Sequence, residues 1–227
     1  MNMNKIHQIL QEYGLKIESE KEEKLSKYID LLIKAPLNLT SIRDYQEAIH
    51  KHIVDVLLPL DSVEGEVLDV GTGGGIPGIV YAIVFPVKVT LVESIKKKVV
   101  WLEQTIVELG LGNVKVICSR AEELGIEMRE RFDIVTARAV AELRVLVEFC
   151  APFCKVGGKL FFYKGPKWKD EYNNAQNAIK ILGLETEKII EYSLKTGEER
   201  ALLRFRKIKK TGEIFPRKTS MILKKPL

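Results

Sequence analysis

Between residues 67 and 80 the chain reads VLDVGTGGGIPGIV, an acid followed by glycines at alternate positions: Asp69, Gly71, Gly73 and Gly75. Glycines in such a loop let the backbone approach a ligand, and the helix that follows presents free N–H groups at its positive end. Two ligand classes compete for it. The triplet Gly73, Gly75, Gly78 satisfies GxGxxG, the dinucleotide pattern, and Glu93 follows at about the distance expected of a ribose-binding acid. The aspartate discriminates between them. A carboxylate two residues ahead of the first glycine repels a pyrophosphate, whereas S-adenosylmethionine brings an ammonium and a sulfonium, both cationic. S-adenosylmethionine is therefore the favoured cofactor, and an NAD-dependent oxidoreductase the rival reading. The rival also needs a proton-transfer residue in the substrate half, and no His or Tyr-x-x-x-Lys arrangement stands there.

Further groups sit where a second and a third strand end. Glu93 closes VKVTLVES, where a carboxylate can accept both ribose hydroxyl protons, and SRAEEL places Ala121 and Glu122 beside an adenine edge. Strands must hold these groups on one edge. After Leu60 short apolar runs alternate with amphipathic stretches: EVLDV, VKVTLVES, VKVICS, FDIVTARA and GGKLFFYKG read as strands. PGIVYAIVF, KKKVVWLEQTIVELG and ELRVLVEFCAPF read as the helices between them. This alternation predicts an α/β, doubly wound, Rossmann-like sheet that is mostly parallel, with helices on both faces. LETEKIIEYSL and ERALLRFRKI add a closing hairpin, for seven strands in all. In such sheets ligands bind at the carboxyl ends of the strands, where the glycine loop lies.

Residues 4–60 have helical spacing instead, with Ile6, Ile9, Leu10 and Tyr13, then Leu25, Tyr28, Ile29, Leu32 and Ile33. Pro36 interrupts, and Asp44 caps a further helix whose inner face carries Ala48, Ile49, Ile53 and Leu57. Two units are expected, a helical N-terminal extension over 1–60 and a cofactor-binding domain with a basic C-terminal segment over 61–227. The chain of 227 residues is 46% hydrophobic and 30% charged, a balance that excludes a disordered or fibrous protein. No apolar run reaches membrane-spanning length and the N-terminus lacks a signal-peptide core, so a cytoplasmic location is expected. Cys118, Cys150 and Cys154 match no metal or disulfide spacing and are expected to be buried apolar residues, and no metal site is expected. Ten basic residues against one acid over 200–227 suggest a nucleic-acid partner, though solvated surface is the commoner explanation.

The segments NLTSI, HIVDVLL, LDVGTGGGIPGI, RAEEL, FDIVTARAVAEL and GGKLFFYKG, in this order and spacing, resemble the bacterial ribosomal RNA small-subunit methyltransferase G family, also called glucose-inhibited division protein B. The resemblance covers nearly the whole chain. It implies a class I S-adenosylmethionine-dependent methyltransferase that methylates N7 of one guanine in 16S rRNA near the decoding centre, on the RNA or the small ribosomal subunit, and a monomer is the plain expectation for an enzyme that must reach into an RNA fold. It also implies that Gly71, Ile76, Glu93, Ala121, Glu122 and Arg138 line the cofactor pocket. Position 76 is Ile where the family commonly has Phe. Guanine N7 carries an exposed lone pair and needs no base, in keeping with TARAV in place of an Asp/Asn-Pro-Pro-Tyr run after the fourth strand. Arg138 is then the first candidate to orient cofactor or guanine, and Lys164 a second catalytic candidate that contacts guanine or RNA phosphate. Lys167, Arg217, Arg43 and His52 are further candidates for RNA contact, and Trp168 could stack on a base. A methyltransferase acting on another RNA is the nearest alternative.

Overall fold

The computed structural model describes residues 2–227. Two helices, α1 (Asn2–Glu12) and α2 (Ser19–Ile33), lead to α3 (Tyr45–Ala48) and α4 (Asp55–Leu57), which a π-helical stretch, Ile49–Val54, joins into one rod. Asp44 caps it as expected, its carboxylate accepting the Glu47 N–H at 2.8 Å. The strands and their crossovers follow: β1 (Gly65–Val70), α5 (Gly78–Val84), β2 (Val87–Glu93), α6 (Lys96–Glu108), β3 (Val114–Cys118), β4 (Phe132–Arg138), α7 (Leu143–Cys150) and β5 (Cys154–Lys164). After them come α8 (Trp168–Asn174), α9 (Gln176–Ile181), β6 (Leu184–Ser193), β7 (Glu199–Lys207) and α10 (Thr219–Lys224).

The seven strands form one sheet in the order β3-β2-β1-β4-β5-β7-β6. The first five are parallel, and the expected hairpin closes the edge with β7 running antiparallel between β5 and β6. The order reverses at β1 and β4, which start in mid-sheet and diverge, so the ends of these two strands frame a crevice. Two apolar clusters cover the two faces. One unites α1, α2 and the rod of 45–57 with α5 and part of α6, through Leu10, Leu25, Tyr28, Ile29, Leu32, Ile53, Tyr81 and Leu102. The other packs α7, α9 and α10 on the opposite face through Leu146, Phe149, Ala178 and Ile222. The N-terminal helices are thus a layer over one face of the sheet.

Three details differ from the sequence-based expectation. The pair α8–α9 fills the connection from β5 to β6, a stretch that the sequence patterning assigns to no element. Cys154 opens β5 rather than ending the preceding helix, and Cys118, expected inside, is exposed at the end of the edge strand β3, which has only one neighbour. Lys207, at the end of β7, has no exposed side-chain surface. Its ammonium donates to Glu130 Oε1 at 2.6 Å, to the Ala151 carbonyl at 2.6 Å and to the Cys154 carbonyl at 2.9 Å, so all three N–H bonds are satisfied. Lys207→Met would leave Glu130 without its cation and two carbonyls without a donor. A loss of about 3 kcal/mol is expected in urea unfolding, and an unchanged midpoint would contradict this role.

Candidate active site

Asp69 ends the first strand on a side chain with no exposed surface. Its Oδ2 accepts the Thr72 hydroxyl at 2.6 Å and the Gly78 N–H at 2.9 Å, so one oxygen ties both ends of the glycine loop. Gly78 must come this close: a Cβ there would lie 2.9 Å from that oxygen and 2.3 Å from Leu91. Oδ1 of Asp69 is buried and bonds no group among the described residues. Gly73 takes φ of +59°, and a Cβ built on it would meet nothing within 4 Å, so the loop leaves open space there. The Gly73 N–H donates to Glu93 Oε2 at 3.1 Å, while Glu93 Oε1 accepts the Ile95 N–H at 2.8 Å. From the N-terminal layer, Tyr28 donates its hydroxyl to the Gly74 carbonyl at 2.6 Å.

A cleft of about 200 Å³ opens at this edge, lined by Gly71, Glu93, Arg120, Ala121, Glu122 and Thr219 among others. Four of the expected cofactor residues therefore meet in one place, with Asp69 and Gly73 directly behind them in the loop. Gly75 and Ile76 do not line it. Ile76 packs into the core below the loop at 7% exposure, and a Cβ on Gly75 would sit 2.4 Å from Ile79. Both shape the loop from beneath. The residues fit S-adenosylmethionine: an uncompensated buried carboxylate oxygen suits a cationic ligand, and acids after β1 and β2 suit an amine and a ribose.

A second cleft, about 600 Å³, adjoins the ends of β4 and β5 and includes Asp55, Arg138, Val140, Lys164, Glu171 and Arg200. Val140 lines both clefts. Arg138 donates to Asp55 Oδ2 at 2.9 Å, to the Lys51 carbonyl at 2.7 Å and to His52 Nδ1 at 3.0 Å. It lines the larger cleft, held by the N-terminal layer. His52 is buried, its other nitrogen lies 2.8 Å from the Thr40 hydroxyl, and burial followed by the nearby Arg138 charge pushes its pKa down to about 3. The buried, uncharged ring lies against the Arg138 guanidinium. Lys164 is 8% exposed and donates to Glu171 Oε2 and the Ala141 carbonyl, both at 2.7 Å.

Arg217 is likewise turned inward. Its Nε and Nη2 donate to Glu148 at 2.7 and 2.6 Å, so the fork is already bonded. Lys167 is exposed two residues beyond Gly165, which lines the larger cleft, whereas Arg43 is exposed on the N-terminal layer with its guanidinium on the Ile33 carbonyl at 3.0 Å. Trp168 is half-buried against the second apolar cluster, with Lys169 5.3 Å from its ring centre. Sequence reading missed Asp55, Arg200, Glu171 and Thr219. Asp55 left one signal, a lone carboxylate inside an apolar helical run, and Tyr192 also donates to it at 2.8 Å. Among the described residues no group of three His, Cys, Asp or Glu could hold a metal, and no helix is long and apolar enough to cross a membrane.

The parallel five-strand core with an inserted antiparallel strand, and the acid–glycine loop at the switch point, define a class I S-adenosylmethionine-dependent methyltransferase. Solved structures agree on the fold. TYW2 of M. jannaschii in complex with AdoMet superposes with a TM-score of 0.57 at 18% identity, over 76% of this chain and 81% of that one. An rRNA methylase of Streptococcus thermophilus gives 0.50 at 18% identity, over 75% and 99%. The chain belongs to the GidB family, rRNA small subunit methyltransferase G, whose model matches residues 21–203. Proteins named ribosomal RNA small subunit methyltransferase G are 60% identical in Pseudothermotoga lettingae, over 99% of this chain and 100% of that protein, and 49% identical in Thermotoga maritima, over 99% and 95%.

Burial pushes the Asp69 carboxyl up to about 6, against the lowering effect of Thr72 and Gly78. A raised acid pKa means that the folded chain binds this proton more tightly than the unfolded one. The stabilisation is full at low pH and is lost as pH rises through about 6. A cationic ligand prefers the carboxylate, so its affinity is full above that value and falls below it. Calorimetric titration with S-adenosylmethionine is expected to show binding about tenfold weaker at pH 5 than at neutral pH, with proton release. Binding independent of pH over this range would contradict the assignment.

Proposed function

We propose that the chain is a cytoplasmic, monomeric enzyme that transfers a methyl group from S-adenosylmethionine to N7 of one guanine in 16S rRNA, with the RNA or the small ribosomal subunit as its partner. When bound, the cofactor supplies an activated methyl group on a sulfonium centre. Asp69, Gly71, Gly73, Glu93, Ala121 and Glu122 would hold it. The larger cleft adjoins the smaller one across Val140, so an acceptor in the one and the cofactor in the other would be separated by a single side chain.

One observation carries the choice of acceptor atom. Each carboxylate of the larger cleft already faces a cation: Asp55 pairs with Arg138 at 2.9 Å and Arg200 at 3.5 Å, Glu171 with Lys164 at 2.7 Å, and Glu142 with Arg144 at 3.1 Å. A carboxylate already engaged with a cation is not free to face an exocyclic amine. A ring nitrogen with a free lone pair needs no proton removed. Catalysis then rests on positioning, and the fork of Arg138, fixed from three sides, is suited to the O6 and N7 acceptors of guanine. Lys164, anchored on Glu171, would place a second donor in the same cleft. As positive charge passes to the base, the paired carboxylates offset the cations that hold it. Lys167, exposed two residues beyond Gly165, would meet backbone phosphate.

Incubation with tritiated S-adenosylmethionine and small subunits lacking guanine-N7 methylation, followed by cleavage at N7-methylguanine, is expected to label one guanine of 16S rRNA. Measurable cofactor binding with no label in subunits or naked rRNA would overturn the assignment.

A further inference from the structure

Beyond β7 the chain crosses the cofactor edge of the sheet and is tied down repeatedly. Arg129 donates to the carbonyls of Thr211 at 3.2 Å, Gly212 at 3.3 Å and Phe215. Arg217 gives its backbone N–H, at 3.1 Å, and its fork to Glu148, a carboxylate of α7 with no exposed side-chain surface. A buried carboxylate is costly without its cation, so this pair pins the segment to the core. Phe215 and Ile222 are buried on the same face. Between these anchors Thr219 lines the cofactor cleft, next to Phe149 of α7, and donates its hydroxyl to Glu122.

The outward side of the segment differs from the inward one. Lys218, Lys224 and Lys225 are exposed, and among the described residues none makes an ion pair within the 4 Å limit met by the other pairs. Lys96 and Lys97 are exposed as well and stand two and three residues beyond Ser94, which lines the same cleft as Arg120. These lysines open α6, whose first turn contains no acid. Cations at the positive end of a helix oppose its dipole, a local cost, and among the described residues neither lysine has an ion-pair partner to offset it. Like charges flanking one cleft call for an anion from outside, and a phosphodiester backbone is long enough to touch both flanks.

We infer that residues 215–227 are the outer wall of the cofactor cleft and that the RNA backbone seats on Lys218, Lys224 and Lys225 on one flank and on Lys96, Lys97 and Arg120 on the other, so that RNA and cofactor bind with positive linkage. The inference rests on the reading of the site as that of an RNA methyltransferase. Thr219 would complete the cofactor site, and RNA lying on the wall would hold it shut.

Titration of S-adenosylhomocysteine into the full chain, alone and with an unmodified 16S rRNA transcript, tests it. The transcript is expected to tighten binding at least about fivefold. Thr219→Val, which keeps the volume and removes the hydroxyl, is expected to weaken the nucleoside about tenfold without RNA. Lys218→Gln combined with Lys224→Gln and Lys225→Gln is expected to lower the salt slope of transcript binding by about 2 to 3 and to abolish most of the tightening. A wild-type chain that binds the nucleoside with no tightening, or a triple variant with the wild-type salt slope, overturns the inference alone. A wild-type chain that binds no nucleoside overturns the cofactor reading beneath it.

Discussion

One oxygen of Asp69 receives both the Thr72 hydroxyl and the Gly78 N–H, and the geometry of the whole edge follows from that sharing. It ends β1, sets the entry of α5 and forces the chain between them into a tight loop. The other oxygen is left buried without a partner. Such an orphan is expensive in an apolar interior and is retained where a ligand supplies the missing contact. Around this point the rest of the chain acts as bracing. Tyr28 holds the Gly74 carbonyl from the N-terminal layer, and Glu93 holds the Gly73 N–H from the next strand.

The second centre is Asp55. It lies on the N-terminal layer but serves the far ends of the sheet, receiving Arg138 from β4, Arg200 from β7 and Tyr192 from β6. The helical residues before the sheet therefore contribute Asp55 to the larger cleft and hold Arg138 in place. His52 contributes as a neutral ring packed between Arg138 and Thr40, since its burial keeps the imidazole uncharged far below neutral pH. Electrostatically the two clefts are opposite. The loop beside the smaller holds the unpartnered Asp69 oxygen, and the larger has its carboxylates already matched with cations.

Much of this was readable in advance because it is local. The acid–glycine loop, Glu93 at a strand end and the alternation of short apolar runs with helical ones are patterns within windows of ten to twenty residues, on the order over which periodicity carries information. The closing hairpin was legible for the same reason. What escaped was pairing at long separation. Arg217 finds Glu148 across 69 positions and Thr219 finds Glu122 across 97, and neither partner's neighbourhood announces the other. The same blindness made His52 and Arg217 look like surface cations, because side-chain type gives charge but not the direction in which a fold turns it. Cys118 escaped because a small apolar side chain on an edge strand obeys no burial pattern that its spacing reveals.

The account depends most on the charge of Asp69, and its isostere separates charge from geometry. In Asp69→Asn the amide oxygen can accept the same two hydrogen bonds, so the melting temperature is expected to stay within a few degrees of wild type. Calorimetric titration of S-adenosylmethionine into that variant at neutral pH is the direct measurement. Affinity weaker by about tenfold or more, with the fold intact, is what the uncompensated carboxylate oxygen predicts. Wild-type affinity in the folded variant would contradict the account.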